Sequence, residues 1–182
     1  MRKIAMQSKE WIAESFFDLL SVKPLNSITI SEITENAELD RRTFYRHFKT
    51  KEDVISYYIH EAAEQGVATH YGEAMQQNSA LDNFAIAKTF FEICFNIKDM
   101  LMILYKQNLL HLFLVELNIF MPKYHYQFTV PEKLQVKNGD YILAYNIGGF
   151  WNLLIKWLAN DCKKTPEQMA EIVVQVFSAP QI

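Results

Sequence analysis

The sequence predicts an all-α protein of about nine helices, in which a small N-terminal domain precedes a larger helical domain. Apolar residues recur at helical spacing along most of the chain, and no segment shows the alternation typical of a strand. Only five of the 182 residues are glycine and five are proline, while 50% are hydrophobic, which is typical of a compact helical protein. We place the domain boundary at Asp53, so that residues 1–53 form a three-helix helix-turn-helix domain and residues 54–182 the larger domain.

Charge and cysteine content limit the possible functions. The formal net charge is -3, so any surface for nucleic acid must be a local one. Cys94 and Cys162 are far apart and match no metal-ligand spacing, which indicates free thiols in a reducing compartment. No stretch approaches the ~20 apolar residues of a membrane span, and the first residues lack the apolar run of a signal peptide. We therefore expect a cytoplasmic protein with no membrane partner.

Capping signals mark the helices of the N-terminal domain. The amphipathic segment Ser8–Leu20 predicts the first helix. Thr29 and Glu32 have the spacing of a capping box, in which each side chain accepts a hydrogen bond from the backbone N–H of the other residue. Asp40 is a good N-cap for a short third helix, and the stretch Thr50–Asp53 caps the helix that follows.

The rest of the chain predicts longer and more apolar helices. Their expected bounds are Val54 to about Met75, Phe84–Asn96, Asp99–Tyr105, Leu109–Phe120, Tyr141–Asn160 and Thr165 to about Phe177. The polar segment Gln76–Asn83 separates the first two of these helices. The segment Met121–Asp140 contains two prolines and no clear period, so we expect a long loop there.

A basic cluster interrupts this acidic chain in the stretch DRRTFYRHFK. On a helix, Phe44 and Phe48 fall on one face, which can pack inward on the preceding helices. Arg42, Tyr45 and Arg46 fall on another face, which must then point outward. Such a helix after a short helix and a tight turn is typical of a helix-turn-helix, whose recognition helix enters the major groove. The alternative is a solvated basic face with no partner.

Residues 28–55, ITISEITENAELDRRTFYRHFKTKEDVI, resemble the DNA-binding signature of the TetR/AcrR family of transcriptional regulators. The resemblance implies a double-stranded DNA operator of pseudo-palindromic sequence and a regulator that acts as a homodimer. It also implies that Arg41 and Arg42 face bases and that Arg46 contacts bases or phosphates. Phosphate contacts are implied for Thr29, Thr43, Tyr45, His47 and Lys51. The expected DNA-binding residues are Thr29, Ser31, Arg41, Arg42, Thr43, Tyr45, Arg46, His47 and Lys51.

One residue departs from the family pattern. The family has glycine in the turn where this chain has Glu38. If the turn requires a left-handed residue, glutamate costs about 1 kcal/mol there. It also places a carboxylate near the surface that would face DNA.

The resemblance continues in residues 140–173, which are similar to a C-terminal region in a Gram-positive branch that includes regulators resembling the dihydroxyacetone kinase operon activator. In the family, the last two helices form the dimer interface. Gly148 and Gly149 each cost about 1 kcal/mol inside a helix, and the close approach of another helix would offset that cost. The expected interface residues are Ile147, Gly148, Trp151, Leu154, Leu158, Met169, Ile172, Val173 and Val176. The alternative is packing within one chain.

Aromatic residues of the middle helices indicate an apolar pocket with a few polar groups, suited to a small-molecule effector. Its expected residues are Phe91, Phe95, Tyr105, Asn108, His111 and Phe113. The alternative is that this stripe only fills the core, in which case the C-terminal domain would bind a protein partner. No metal or cofactor is expected, since His60 and Glu64 lack a third ligand. The chain has no phosphate loop, nucleophile motif or paired carboxylates, so we expect no enzyme.

Overall fold

The fold is seen in a computed structural model that describes residues 2–76, 82–128 and 137–178. Within these ranges the chain forms nine α-helices and no strand, which confirms the all-α prediction. The helices are α1 (Arg2–Val22), α2 (Ile30–Asn36), α3 (Arg41–His47), α4 (Lys51–Gln76), α5 (Asn83–Asn96), α6 (Lys98–Lys106), α7 (His111–Phe128), α8 (Gly139–Leu158) and α9 (Pro166–Ser178). No helix in the described ranges is both long enough and apolar enough to cross a membrane.

The three N-terminal helices share a core with the rest of the chain. α1 is longer at both ends than the predicted segment Ser8–Leu20. Its Phe16 is fully buried, as are Ile33 of α2 and Phe44 of α3. The Ser15 hydroxyl donates a hydrogen bond to the Ile33 carbonyl over 2.7 Å, which fixes α1 against α2. The inward position of Phe44 agrees with the periodicity of the sequence.

α1 also connects the N-terminal helices to the larger part of the molecule. It packs against α2 and α3 and also against α4 and α6. The Gln107 side chain, at the end of α6, donates to the carbonyls of Leu20 and Lys23 at the end of α1, over 3.0 and 3.2 Å. These bonds satisfy carbonyls that the helix terminus leaves without a partner. Gln107 therefore joins the C-terminal ends of α6 and α1.

α7 is longer than the sequence predicts. It runs through Pro122 to Phe128, and α8 begins at Gly139, so the expected loop over Met121–Asp140 is wrong at both ends, while residues 129–136 lie outside the described ranges. A proline removes a helical hydrogen bond, yet α7 continues past it, and residues on both sides of Pro122 contact α4. The Lys123 ammonium lies 3.6 Å from the Glu64 carboxylate. The buried Phe120 ring lies 4.7 Å from the ring of His60 on α4.

Aromatic side chains fill the interior between α5 and α8. The Phe90 and Phe150 rings lie 4.8 Å apart, and the Phe91 ring meets that of Trp157 edge-on at 5.4 Å. The indole N–H of Trp157 donates to the Lys164 carbonyl over 2.9 Å, so this buried polar group is satisfied. The aromatic stripe of α5 is thus largely core, as the alternative interpretation of the sequence expected.

Both cysteines are free thiols, Cys94 in the core and Cys162 partly buried. Burial raises the pKa of Cys94 and also that of Cys162. Both groups are protonated at neutral pH and are therefore poor nucleophiles.

Candidate nucleic-acid interface

Local hydrogen bonds position the two helices of the helix-turn-helix. The backbone N–H of Glu32 donates to the Thr29 hydroxyl over 3.2 Å, and the N–H of Thr29 donates to the Glu32 carboxylate over 2.8 Å. This is the predicted capping box, and it starts α2. Asp40 starts α3 by accepting a hydrogen bond from the N–H of Thr43 over 2.6 Å. That bond is also the main cause of the lowered pKa of Asp40.

The turn between α2 and α3 needs a left-handed residue. Glu38 occupies it with φ 53°, a conformation that is strained for any residue with a Cβ. The N–H of Leu39 donates to the Thr34 carbonyl over 2.8 Å and closes the end of α2. The geometry expected from the family's glycine is therefore present, with glutamate in its place.

Replacing Glu38 with glycine is expected to raise the free energy of unfolding by about 1 kcal/mol, because glycine adopts this φ without strain. Urea denaturation measures the change. Glu38→Ala is the matched control, since it removes the same carboxylate and keeps the strained Cβ. Equal gains in both variants would assign the effect to charge and would contradict the backbone explanation.

α3 presents a basic surface to solvent and an apolar one to the core. Arg41, Arg42 and Arg46 are exposed, and the Tyr45 ring is 53% exposed beside them. On the opposite face Phe44 is fully buried. The outward direction that the sequence predicted for the basic face is therefore the observed one.

The predicted DNA-binding residues outside α3 are less available to an external partner than the arginines of α3 are. Thr29 is exposed at the N-terminus of α2, and Ser31 is half-buried in the first turn. The Lys51 ammonium donates to the carbonyls of Leu25 and Ile28 over 2.6 and 2.8 Å. Because an ammonium has three N–H donors, at most one of those of Lys51 remains for a phosphate.

Two of the residues expected to bind DNA, Thr43 and His47, are wholly or partly buried within the protein. Thr43 is only 7% exposed, so its side chain offers little surface to an external partner. His47 is half-buried, and its Nε2 has no hydrogen-bond partner among the described residues. Burial, together with the nearby charges of Arg46 and Lys9, lowers the pKa of His47. The ring is therefore neutral at neutral pH and adds no positive charge to the surface.

Glu32 links α2 to the end of α1. Its carboxylate accepts a hydrogen bond from the Lys23 ammonium in addition to the bonds of the capping box. The Lys23 bond is the largest cause, and the Thr29 bonds the next, that lower the pKa of Glu32 from 4.5 to about 2.

Replacing Glu32 with glutamine is expected to destabilise the protein at pH 7 and to destabilise it less as the pH falls. Between pH 4.5 and about 2 the unfolded carboxylate takes up a proton that the folded one does not. Wild type therefore loses stability in this window, whereas glutamine, which can keep the capping box, has no proton to gain. Urea unfolding of both proteins from pH 7 to about 2.5 tests this. If the difference in free energy of unfolding between the two proteins did not change with pH, the charge of Glu32 would contribute nothing to stability.

The six residues predicted for an effector pocket lie in different surroundings. Phe91 and Phe113 are buried in the core, and Tyr105 is half-buried. Asn108 and His111 are exposed, with the His111 Nδ1 only 3.3 Å from the Asn108 carbonyl oxygen. The last of the six predicted pocket residues, Phe95, packs on the outer side of Trp157.

A cleft of about 440 Å³ lies elsewhere, between α1, α4 and α5. None of the six residues predicted for the effector pocket lines it. Its carboxylates and tyrosines follow i, i+4 spacing, as in Glu10 with Glu14 and Tyr57 with Glu61. That spacing is visible in the sequence and is the signal that could have located the cleft.

The residues predicted for a dimer interface fall into two groups. Ile147, Leu154, Leu158, Met169 and Val173 are buried within the protomer, where α8 and α9 complete its own core. Trp151 and Ile172 are half-buried, and Val176 is exposed. A methyl group placed at Gly148 would meet no atom within 4 Å, so this glycine borders open space. The sequence interpretation missed Tyr141, Ile142 and Tyr145, which are exposed on the same helix as Gly148.

Solved structures of regulators share this fold. The TetR transcriptional regulator from Streptococcus agalactiae 2603V is 18% identical, with a TM-score of 0.59 and coverage of 96% of both chains. The fatty acid degradation regulator FadR from Bacillus halodurans is 16% identical, with a TM-score of 0.60 and coverage of 95% of this chain and 99% of its own. Likeness at this level of identity shows the fold alone.

Sequence comparison extends from the fold to the family. The HTH-type dhaKLM operon transcriptional activator DhaS of Lactococcus lactis subsp. lactis (strain IL1403) is 31% identical over 55 residues, which span 30% of this chain and 29% of that protein. A family model described as bacterial regulatory proteins, tetR family, matches residues 17–58. Another, described as transcriptional regulator C-terminal region, matches residues 81–179, more than half of the chain. The chain therefore belongs to the TetR family of transcriptional regulators.

Proposed function

We propose that this chain is a homodimeric, sequence-specific DNA-binding regulator whose α3 enters the major groove of a pseudo-palindromic operator. The observation that carries the proposal is the two-sided character of α3. Its arginines and Tyr45 face solvent while Phe44 anchors the opposite face in the core. A rigid, outward basic helix in an otherwise acidic chain fits a groove lined by phosphates.

The exposed positions divide naturally between bases and phosphates. Arg41 and Arg42 stand at the N-terminus of α3, the end of a recognition helix that meets base edges. An arginine fork there can donate to guanine O6 and N7. Thr29 is exposed at the N-terminus of α2, where the helix dipole favours an anion such as a phosphate.

Tyr45 and Arg46 extend the phosphate-facing surface along α3. Lys51 contributes mainly by holding the backbone before α2 in place, with its remaining N–H available to DNA. Ser31, Thr43 and His47 are the more enclosed members of the predicted set. We assign these three residues to the edge of the proposed DNA-binding surface and not to its centre.

Dimerisation through α8 and α9 would supply the two-fold symmetry that a palindrome requires. Tyr141 and Tyr145 are 73% and 74% exposed, and Val176 is 61% exposed. By their i, i+4, i+7 spacing, Tyr141, Tyr145 and Gly148 share one exposed face of α8, which is suited to a second copy. In this proposal residues 1–53 bind DNA, and residues 54–182 dimerise and receive a regulatory signal.

That signal would be a small ligand that changes the spacing of the two α3 helices. A second candidate is a protein partner bound by the larger domain. It is favoured by the Phe90, Phe91 and Phe150 cluster, which fills the interior where a ligand was predicted. In both cases α1 and α4 are the helices through which the signal would reach α3.

Selection of bound duplexes from a random DNA library tests the proposal. We expect the full chain to enrich a pseudo-palindrome whose half-sites are centred about one helical turn, or a multiple of it, apart. A monomeric binder would enrich a single unrepeated site and would contradict the dimer. Failure to enrich any sequence would contradict sequence-specific binding itself.

A further inference from the structure

We propose that the cleft between α1, α4 and α5 binds an organic cation with an apolar or aromatic body, and that this cation is the effector. The assignment of a binding site rests on the cleft alone. Its regulatory consequence rests on the proposed function in DNA binding.

The cleft has the size and the walls of a small-molecule site. Its volume is about 440 Å³, within the usual range for ligand pockets. The rings of Tyr57 and Tyr58 line it from α4, and Ile93 and Ile97 line it from the end of α5. Gly66 lets α4 and α5 approach closely, since a Cβ at this position would overlap the Ile93 side chain. The end of the cleft is therefore built by helix packing.

The charge of the cleft is negative. Glu10 and Glu14 face it from α1 and Glu61 faces it from α4, while no lysine or arginine is among the described residues that line it. None of these three carboxylates forms an ion pair with a described side chain. The charges of Glu61 and Glu10 contribute, after burial, to raising the pKa of Tyr57. A ligand that enters the cleft therefore meets a lining of net negative charge.

The aromatic wall adds a second attraction for a cation. A ring presents a negative face, and an ammonium or similar group over it is stabilised. Tyr57 already attracts one such group, because the Lys9 ammonium lies 4.9 Å from its ring centroid. Lys9 itself is not part of the cleft lining. The Tyr58 ring is supported by Phe17 at 4.8 Å, so the wall is fixed before a ligand arrives.

Tyr57 also connects the cleft to the recognition helix. Its ring lies 5.5 Å from that of Phe48, the residue that ends α3, and the Phe48 ring lies 5.8 Å from that of Phe44. A ligand that displaces Tyr57 would move the Phe48 ring, against which the Phe44 ring of α3 packs. We expect such a ligand to weaken operator binding by about 5- to 150-fold, the range of ordinary allosteric coupling.

Calorimetric titration of the full chain with matched probes tests the site. The probes are benzyltrimethylammonium, tetraphenylphosphonium and tetraphenylborate, the last two being nearly equal in shape and opposite in charge. We expect at least one of the two cations to bind and the anion not to bind. Tetraphenylborate binding as tightly as its cationic counterpart, or no binding by either cation, would overturn the proposal.

Variants then locate the binding. The double variant Glu10→Gln/Glu61→Gln keeps the shape of the cleft and should weaken cation binding about tenfold or more. The double variant Glu167→Gln/Glu171→Gln removes an equal charge from the exposed surface of α9, outside the cleft lining, and should leave the affinity unchanged. Equal affinities of wild type and the Glu10→Gln/Glu61→Gln variant would show that the cation binds elsewhere.

Operator binding in the presence of the cation separates the two claims. Release of DNA by the bound cation supports the effector role, and unchanged DNA affinity with the cation bound overturns that role. If the chain binds no DNA at all, the proposed function fails, while the titration still decides whether the cleft is a cation site.

Discussion

Replacing Arg42 with alanine is expected to weaken binding to the selected operator by roughly 30-fold or more while the fold stays intact. The side chain is exposed in the first turn of α3 and has no structural partner among the described residues. A bidentate contact to guanine contributes about 1–3 kcal/mol, and a dimer makes it twice, which gives the expected loss. Fluorescence anisotropy with a labelled operator measures the affinity.

The same variant should also lose discrimination at one position of each half-site, because a base contact carries sequence information and a phosphate contact does not. Lys163→Ala is the matched control, since it removes one exposed positive charge from the turn between α8 and α9. We expect this control to bind the operator almost as wild type does. Equal losses of operator affinity in the two variants would show that Arg42 contributes only through its positive charge.

Replacing Phe44 with alanine is expected to lower the free energy of unfolding by about 3–5 kcal/mol. The ring is fully buried, with neighbouring rings of Tyr45 at 5.7 Å and Phe48 at 5.8 Å. Its loss removes apolar burial and leaves a cavity under the recognition helix. Urea denaturation followed by circular dichroism gives the value.

The neighbouring variant Tyr45→Ala separates stability from binding. Tyr45 is half-exposed on the outward face, so its removal should cost at most about 1 kcal/mol of stability. It should nevertheless weaken DNA binding, which Phe44→Ala affects only by unfolding α3. If Tyr45→Ala proved as destabilising as Phe44→Ala, the division of α3 into an inner and an outer face would be wrong.

The parts of the fold that depend on local sequence could be predicted. The capping box of Thr29 and Glu32 and the N-cap of Asp40 involve residues three apart, so their hydrogen bonds follow from spacing alone. The same is true of the two faces of α3, which the helical period determines. The left-handed conformation of Glu38 was suggested by the glycine that the family has at this position, and not by the local sequence.

Features that depend on contacts between distant segments could not be predicted in the same way. Lys51 carries a charge that suits DNA, yet its ammonium binds carbonyls more than 20 residues earlier in the chain. Gln107 bonds to the end of α1 across an even longer separation. Apolar residues of α8 such as Leu154 have the same period whether they face a second copy or their own core. Only the packed structure distinguishes these cases.

The most direct test of the central claim, that the outer face of α3 binds DNA electrostatically and by sequence, is the salt dependence of operator affinity. About four cationic phosphate contacts per dimer, from Arg46 and Lys51 of each protomer, predict a slope near -4 in a plot of log affinity against log salt concentration. The Arg42→Ala/Arg46→Ala variant should show weaker binding and a shallower slope. A shallow slope shared by both proteins would contradict the account and would shift attention to the larger domain as a site for protein partners.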